Sequence, residues 1–190
     1  MKSKRVITVI IGMLSIVALS CTASAEPQAN TAEATLHTTA LVIPEAVRLE
    51  HGAIHEALVE ATQAPGNVGI AAKELAEILH PHFVREEQIA LPPLGLLSSL
   101  AANTTVPDSV LTEALAMSDA LKAELPHMLE EHTQIRAAVG KLLAVARAEH
   151  ATKAISLAEE LALHAQTEEE VLYPTTILVG DIIRARLQSK

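Results

Sequence analysis

His82-Phe83-Val84-Arg85-Glu86, closed by Leu91-Pro92, and His164-Ala165-Gln166-Thr167-Glu168, closed by Leu172-Tyr173-Pro174, are two copies of one pattern. In each copy a histidine leads a glutamate by four residues. On an α-helix that interval puts both side chains on one face, about one turn of ~5.4 Å apart. Each copy therefore offers two metal-binding groups side by side.

Outward from these segments the repeat continues. Another histidine precedes each copy, in Leu49-Glu50-His51-Gly52-Ala53-Ile54 and in Glu130-Glu131-His132-Thr133-Gln134-Ile135. His51 and His132 are 81 residues apart, whereas His82 and His164, Glu86 and Glu168, and Pro92 and Pro174 are each 82 apart. A slip of one residue is what a loop difference between two copies of a helical hairpin produces, because loops absorb insertions that packed helices do not. Val47 and Ile54 flank His51 at helical intervals, as Met128 and Ile135 flank His132, so both histidines are expected to point into an apolar interior.

The rest of the chain reads as helix throughout. Ala46, Val47, Ile54, Leu58 and Val59 recur at intervals of three and four after Pro44, and Pro65-Gly66 breaks the run. A second helix is expected from about Val68 to Ala90, with Ile70, Leu75, Ile78 and Leu79 inward and a bend at Pro81 that either aims His82 or is incidental. Leu91-Pro92-Pro93 ends it, and residues 94–106 read as a connection. Pro107-Asp108 opens another helical run, which Pro126 is expected to divide from the helix bearing His132. The last long helix is expected from about Lys153 to Tyr173, with a terminal piece around Ile182 to Leu187, and no strand signal appears. Two hairpins with short loops close into an all-α, antiparallel four-helix bundle with extra short helices.

Histidines and glutamates buried in such a bundle are costly without a shared partner. Four imidazoles and two carboxylates suit two cations, each taking two histidines and sharing both glutamates, at the ~3.5–4 Å separation of two-metal sites. Mixed imidazole and carboxylate ligation favours iron, manganese or zinc over calcium and magnesium. In the ferritin-like di-iron bundles the paired ligands stand three apart with the glutamate first; here the histidine leads and the interval is four.

Taken together, Glu50-His51-x-x-Ile54, His82-Phe83-x-x-Glu86-Glu87, Glu131-His132-x-x-Ile135-Arg136 and His164-x-x-x-Glu168-Glu169-x-x-Leu172-Tyr173-Pro174 resemble the hemerythrin-like proteins with the HHE cation-binding domain. The resemblance implies a non-haem di-iron centre in a four-helix bundle, with an oxo or hydroxo bridge and a small oxidant such as dioxygen, peroxide or nitric oxide as partner, or a role in handling iron. Position by position it assigns His51, His82, Glu86, His132, His164 and Glu168 as ligands. Oxygen-carrying hemerythrins have a further histidine one turn before the third-helix ligand, where this chain has Met128, so reversible oxygen carriage is not implied. His55, one turn after His51, is a candidate for the missing imidazole, and Tyr173 for a group that reaches the bound ligand. A binding protein is expected rather than an enzyme. The alternatives are a di-iron oxidase or peroxidase, and a zinc or structural site.

His80 shares no helical face with His82, and His150 falls in a turn; both read as surface residues. Glu87 and Glu169, which follow the paired glutamates, are placed to orient ligand histidines. Phe83 and Tyr173 are the only aromatic residues in the chain, and both lie in the repeated motif, which suggests shielding of a metal pocket.

Lys2, Lys4 and Arg5, the apolar run Val6 to Leu19 and Ala23-Ser24-Ala25 form a secretory signal peptide over residues 1–25, cleaved near Ala25. Export to the periplasm or outside the cell follows, with a lipoprotein acylated at Cys21 as the alternative. Its uncharged stretch is shorter than the ~20 residues a membrane span requires. Residues 26–40, which include His37, read as an exposed, flexible leader, and 41–190 as one metal-binding domain. Cys21 is the only cysteine, so the mature chain has neither disulfides nor thiolate ligands and any metal rests on histidine and carboxylate. Loss of the three signal-peptide cations takes the formal net charge from −9 to −12, which excludes a phosphate backbone as partner on electrostatic grounds.

Overall fold

The computed structural model describes residues 41–189; the expected signal peptide with Cys21, and the leader with His37, lie outside the described residues. All of the described residues belong to one compact unit.

Its helices are α1 (Glu45–Thr62), α2 (Gly66–Ile89), the short α3 (Leu97–Ala101), α4 (Asp108–Ala148), α5 (Thr152–Thr167) and α6 (Tyr173–Gln188). Among the described residues there is no strand. Pro44 caps α1, and Gly66 turns the chain into α2 with φ +73°, a conformation that residues with a Cβ rarely adopt. α1 packs against α2 and α5, and α4 against the same two, so the four close a ring as two hairpins. No described helix is long and apolar enough to cross a membrane.

Three apolar layers stack along the bundle. Leu58, Leu75, Leu79, Leu142, Leu157 and Leu161 fill the end nearest the hairpin loops. Leu91, Leu121, Met128 and Tyr173 form the next layer, and Leu96, Leu111, Val179 and Ile183 the last, beneath the far halves of α4 and α6. The six histidines and glutamates of the repeated motifs, all buried, belong to none of these apolar layers.

Four expectations need correction. Pro126 does not divide the third helix: α4 runs unbroken through it for 41 residues, as α2 runs through Pro81. Each proline ring is exposed, and so are Glu77 and Lys122, the residues four positions earlier whose carbonyls the missing N–H groups would have bonded, while packing on the opposite face holds the helix together. The connection expected at 94–106 carries a 3₁₀ turn (Pro92–Leu96) and α3, because Leu94 buries itself in the middle layer and Leu96 and Leu100 in the last. Ile70 is exposed, the inward face of α2 there being Val68, Ala71, Ala72 and Leu75. Finally, the last helix continues past Tyr173 to Gln188 through one widened turn, a π-helical segment at Glu168–Leu172.

Candidate metal centre

His51 comes from α1, His82 and Glu86 from α2, His132 from α4, and His164 from α5, with Glu168 at the start of the π turn. None is more than 3% exposed. Their ligand atoms form two groups of four, His51-Glu86-His164-Glu168 and His82-Glu86-His132-Glu168, with the donor atoms of each group within 4.8 Å of one another.

Each glutamate divides its oxygens between the two groups. Glu168 Oε1 lies 3.3 Å from His51 Nε2 and 2.8 Å from His164 Nε2, while its Oε2 is 3.4 Å from His132 Nε2. Glu86 Oε1 lies 3.4 Å from His82 Nε2, and its Oε2 3.9 Å from His51 Nε2. A carboxylate that sends one oxygen to each of two histidine pairs has the donor arrangement of a bridge between two cations.

The outer ring nitrogens explain why the inner ones face the centre as acceptors. His82 Nδ1 donates to Glu131 at 2.9 Å, His132 Nδ1 to Glu169 at 2.8 Å and His164 Nδ1 to Glu50 at 3.2 Å; His51 Nδ1 faces Glu87 at 3.6 Å. Since a carboxylate only accepts, a bonded Nδ1 carries the proton and a neutral ring keeps its Nε2 lone pair for the interior. The sequence pointed to Glu87 and Glu169; Glu50 and Glu131 went unassigned. Their signal was the Glu-His dipeptide that recurs at residues 50–51 and 131–132, each glutamate serving the histidine of another helix. Arg136 donates to Glu169 as well, and Glu169 titrates below the ordinary carboxylate range because these donors outweigh its partial burial.

Within the cluster the donors lack partners that match them. Glu86 Oε2 makes no hydrogen bond, and His82 Nε2 and His132 Nε2 stand 2.8 Å apart although Nδ1 takes the proton on both rings. Buried lone pairs so close repel unless a proton or a metal lies between them. In the metal-free chain protons do this work. Burial alone would depress His82 and His164, but Glu86 and Glu131 beside the first, and Glu168, Glu86 and Glu50 beside the second, hold both pKa values up at about 9. Burial and the charge of Glu168 raise Glu86, whereas hydrogen bonds from His132, His164 and His51 overcome burial and keep Glu168 well below the usual range. The donor set therefore fits metal cations that accept mixed imidazole and carboxylate ligation.

Tyr173 is fully buried, and its hydroxyl donates to Glu86 Oε1 and lies 3.2 Å from His132 Nε2. Phe83 stacks on His51 at 4.3 Å and meets His164 edge-on at 5.7 Å. His55 is the exception among the expected site residues. It is exposed and belongs to neither group, because the residue four after His51 turns to the mouth of the α1–α2 cleft, where His80 also lies. His127 is likewise exposed, paired with Glu131 at 3.3 Å, and His150 sits in the α4–α5 turn.

Comparison with protein families gives one match, to the sequence profile described as hemerythrin HHE cation binding domain, over residues 42–176. Searches of curated proteins and of solved structures found no match.

Proposed function

The chain belongs to the hemerythrin HHE cation-binding domain family, and from that premise we propose that it is an exported protein holding two iron ions that engage a small oxidant such as dioxygen, peroxide or nitric oxide. The observation that carries this reading is the overlap of two buried four-residue groups in Glu86 and Glu168. Two ions, each between two histidines and both carboxylates, use all six side chains. Export rests on the N-terminal segment, whose charged start, apolar run and Ala-Ser-Ala site match a cleaved signal.

His51 and His164 would hold one ion, His82 and His132 the other, with Glu86 and Glu168 between them. Bound iron supplies one-electron chemistry and coordination positions open to a small ligand. The protein's own contribution is orientation and exclusion. Glu50, Glu131 and Glu169 fix their histidines through Nδ1, Glu87 faces the fourth, and Phe83 and the leucine layers keep bulk water out.

Metal analysis of aerobically purified protein, read with its optical spectrum, tests the proposal. Two irons per chain with visible charge-transfer bands are expected, and Glu168→Ala should lose both ions. Two zinc ions and a featureless spectrum would mark a structural site instead, and a chain that takes up no metal would overturn the reading.

A further inference from the structure

We infer that Tyr173 is a direct ligand of the ion held by His82 and His132, so that the two halves of a pseudo-symmetric centre are chemically different. The inference rests on the dinuclear reading above and adds to it the identity of one donor and the position left for a small ligand.

Geometry carries it. Two donors each about 2.1 Å from one ion and at right angles stand about 3 Å apart. The hydroxyl of Tyr173 lies 3.2 Å from His132 Nε2 and in close contact with Glu86 Oε1, while the two imidazoles of that group are 2.8 Å apart. It thus stands at the spacing from His132 Nε2 that two donors to one ion would have. The backbone is built to put it there: Tyr173 N–H bonds the carbonyl of Glu168, five residues back, in the π turn. A regular α-helix would stack the residue four after Glu168 on that face; the widened turn stacks the fifth.

The other hairpin makes the same i to i+5 bond, from Leu91 N–H to the Glu86 carbonyl at 3.0 Å, and Leu91 is fully buried. Leu91 is thus the counterpart of Tyr173 in place and backbone bonding but offers no donor. Near His51 and His164 the aromatic residue is Phe83, beside a cleft of about 350 Å³ lined by Arg48, His51, His55, His80, Phe83 and Glu87. The ion of His51 and His164 would therefore keep the position left for a small ligand. When iron binds, the Tyr173 O–H bond breaks, its proton leaves to solvent, and the phenolate oxygen takes the place on the metal.

Tyr173 is the only tyrosine in the chain, so any tyrosinate signature belongs to it. Resonance Raman spectra of the full-length, iron(III)-loaded protein, excited in its visible band, should show tyrosinate ring modes. Tyr173→Phe should keep two irons per chain and lose both the modes and the band. Zinc loading should produce an ionised-phenol difference spectrum in the ultraviolet, which also answers if the variant fails to fold. Wild-type protein that carries two irons without tyrosinate modes would overturn the inference and leave the dinuclear reading standing. Failure to bind iron or zinc at all would remove both.

Discussion

An imidazole that gives one nitrogen to a cation must hold its proton on the other, and in this bundle that proton is assigned by glutamates lying one shell outside the cluster. Glu131 is the clearest case, 2.9 Å from His82 Nδ1 and partly exposed, so its removal should leave the helices intact. Glu131→Ala is expected to weaken metal affinity by about 10–100-fold. Chelator competition measures this, and unchanged affinity at unchanged helicity would remove the orienting role. Protonation supplies a second test at the same scale. In the metal-free chain His82 and His164 sit at about 9, above the ordinary 6.5, so their contribution to stability is complete below pH 6.5 and is lost as the pH rises through about 9. Glu168, held low, adds a contribution that is constant across that window and is lost only in acid. The melting temperature of metal-free protein should therefore fall between pH 6.5 and 9. Metal affinity should rise over the same range as the competing protons leave. A flat metal-free profile would contradict this.

The elements hold these side chains through features of unequal legibility. The His-x-x-x-Glu interval, the apolar residues around His51 and His132 and the 82-residue repeat are local patterns, and they were enough for the bundle and for the inward facing of the six residues. What escaped depended on tertiary context. Pro126 read as a break because the cost of a proline, about 3 kcal/mol in a helix interior, is a property of an isolated helix; packing on the opposite face outweighs it here. The π turn was hidden because nothing in Glu168-Glu169-Glu170-Val171-Leu172 distinguishes a five-residue turn from a four-residue one. His55 looked like a ligand by spacing, yet it turns to solvent. Close helix contact gives a prediction at this scale. A Cβ on Gly180 would lie 2.1 Å from Ser118 Oγ and 2.6 Å from its Cβ, so Gly180→Ala should destabilise the α4–α6 contact by about 1–3 kcal/mol, and Ser118→Gly should recover part of it. Denaturant melts of the single and double variants decide; an additive pair would contradict the contact.

At the scale of the whole molecule, the apolar layers and the cluster make opposite demands. Leucine layers on either side stabilise the bundle by burial, while two carboxylates and four imidazoles in the same interior cost several kcal/mol when uncompensated. Protons offset part of that cost and the proposed metal ions would offset more, so iron should raise the melting temperature by an amount that grows with the free metal concentration. The most direct measurement is anomalous X-ray scattering at the iron edge from crystals of the iron-loaded chain. Two peaks about 3.5–4 Å apart are expected between Glu86 and Glu168, one against His51 and His164 and the other against His82 and His132. Iron peaks only at surface residues, with none among these six side chains, would contradict a dinuclear centre.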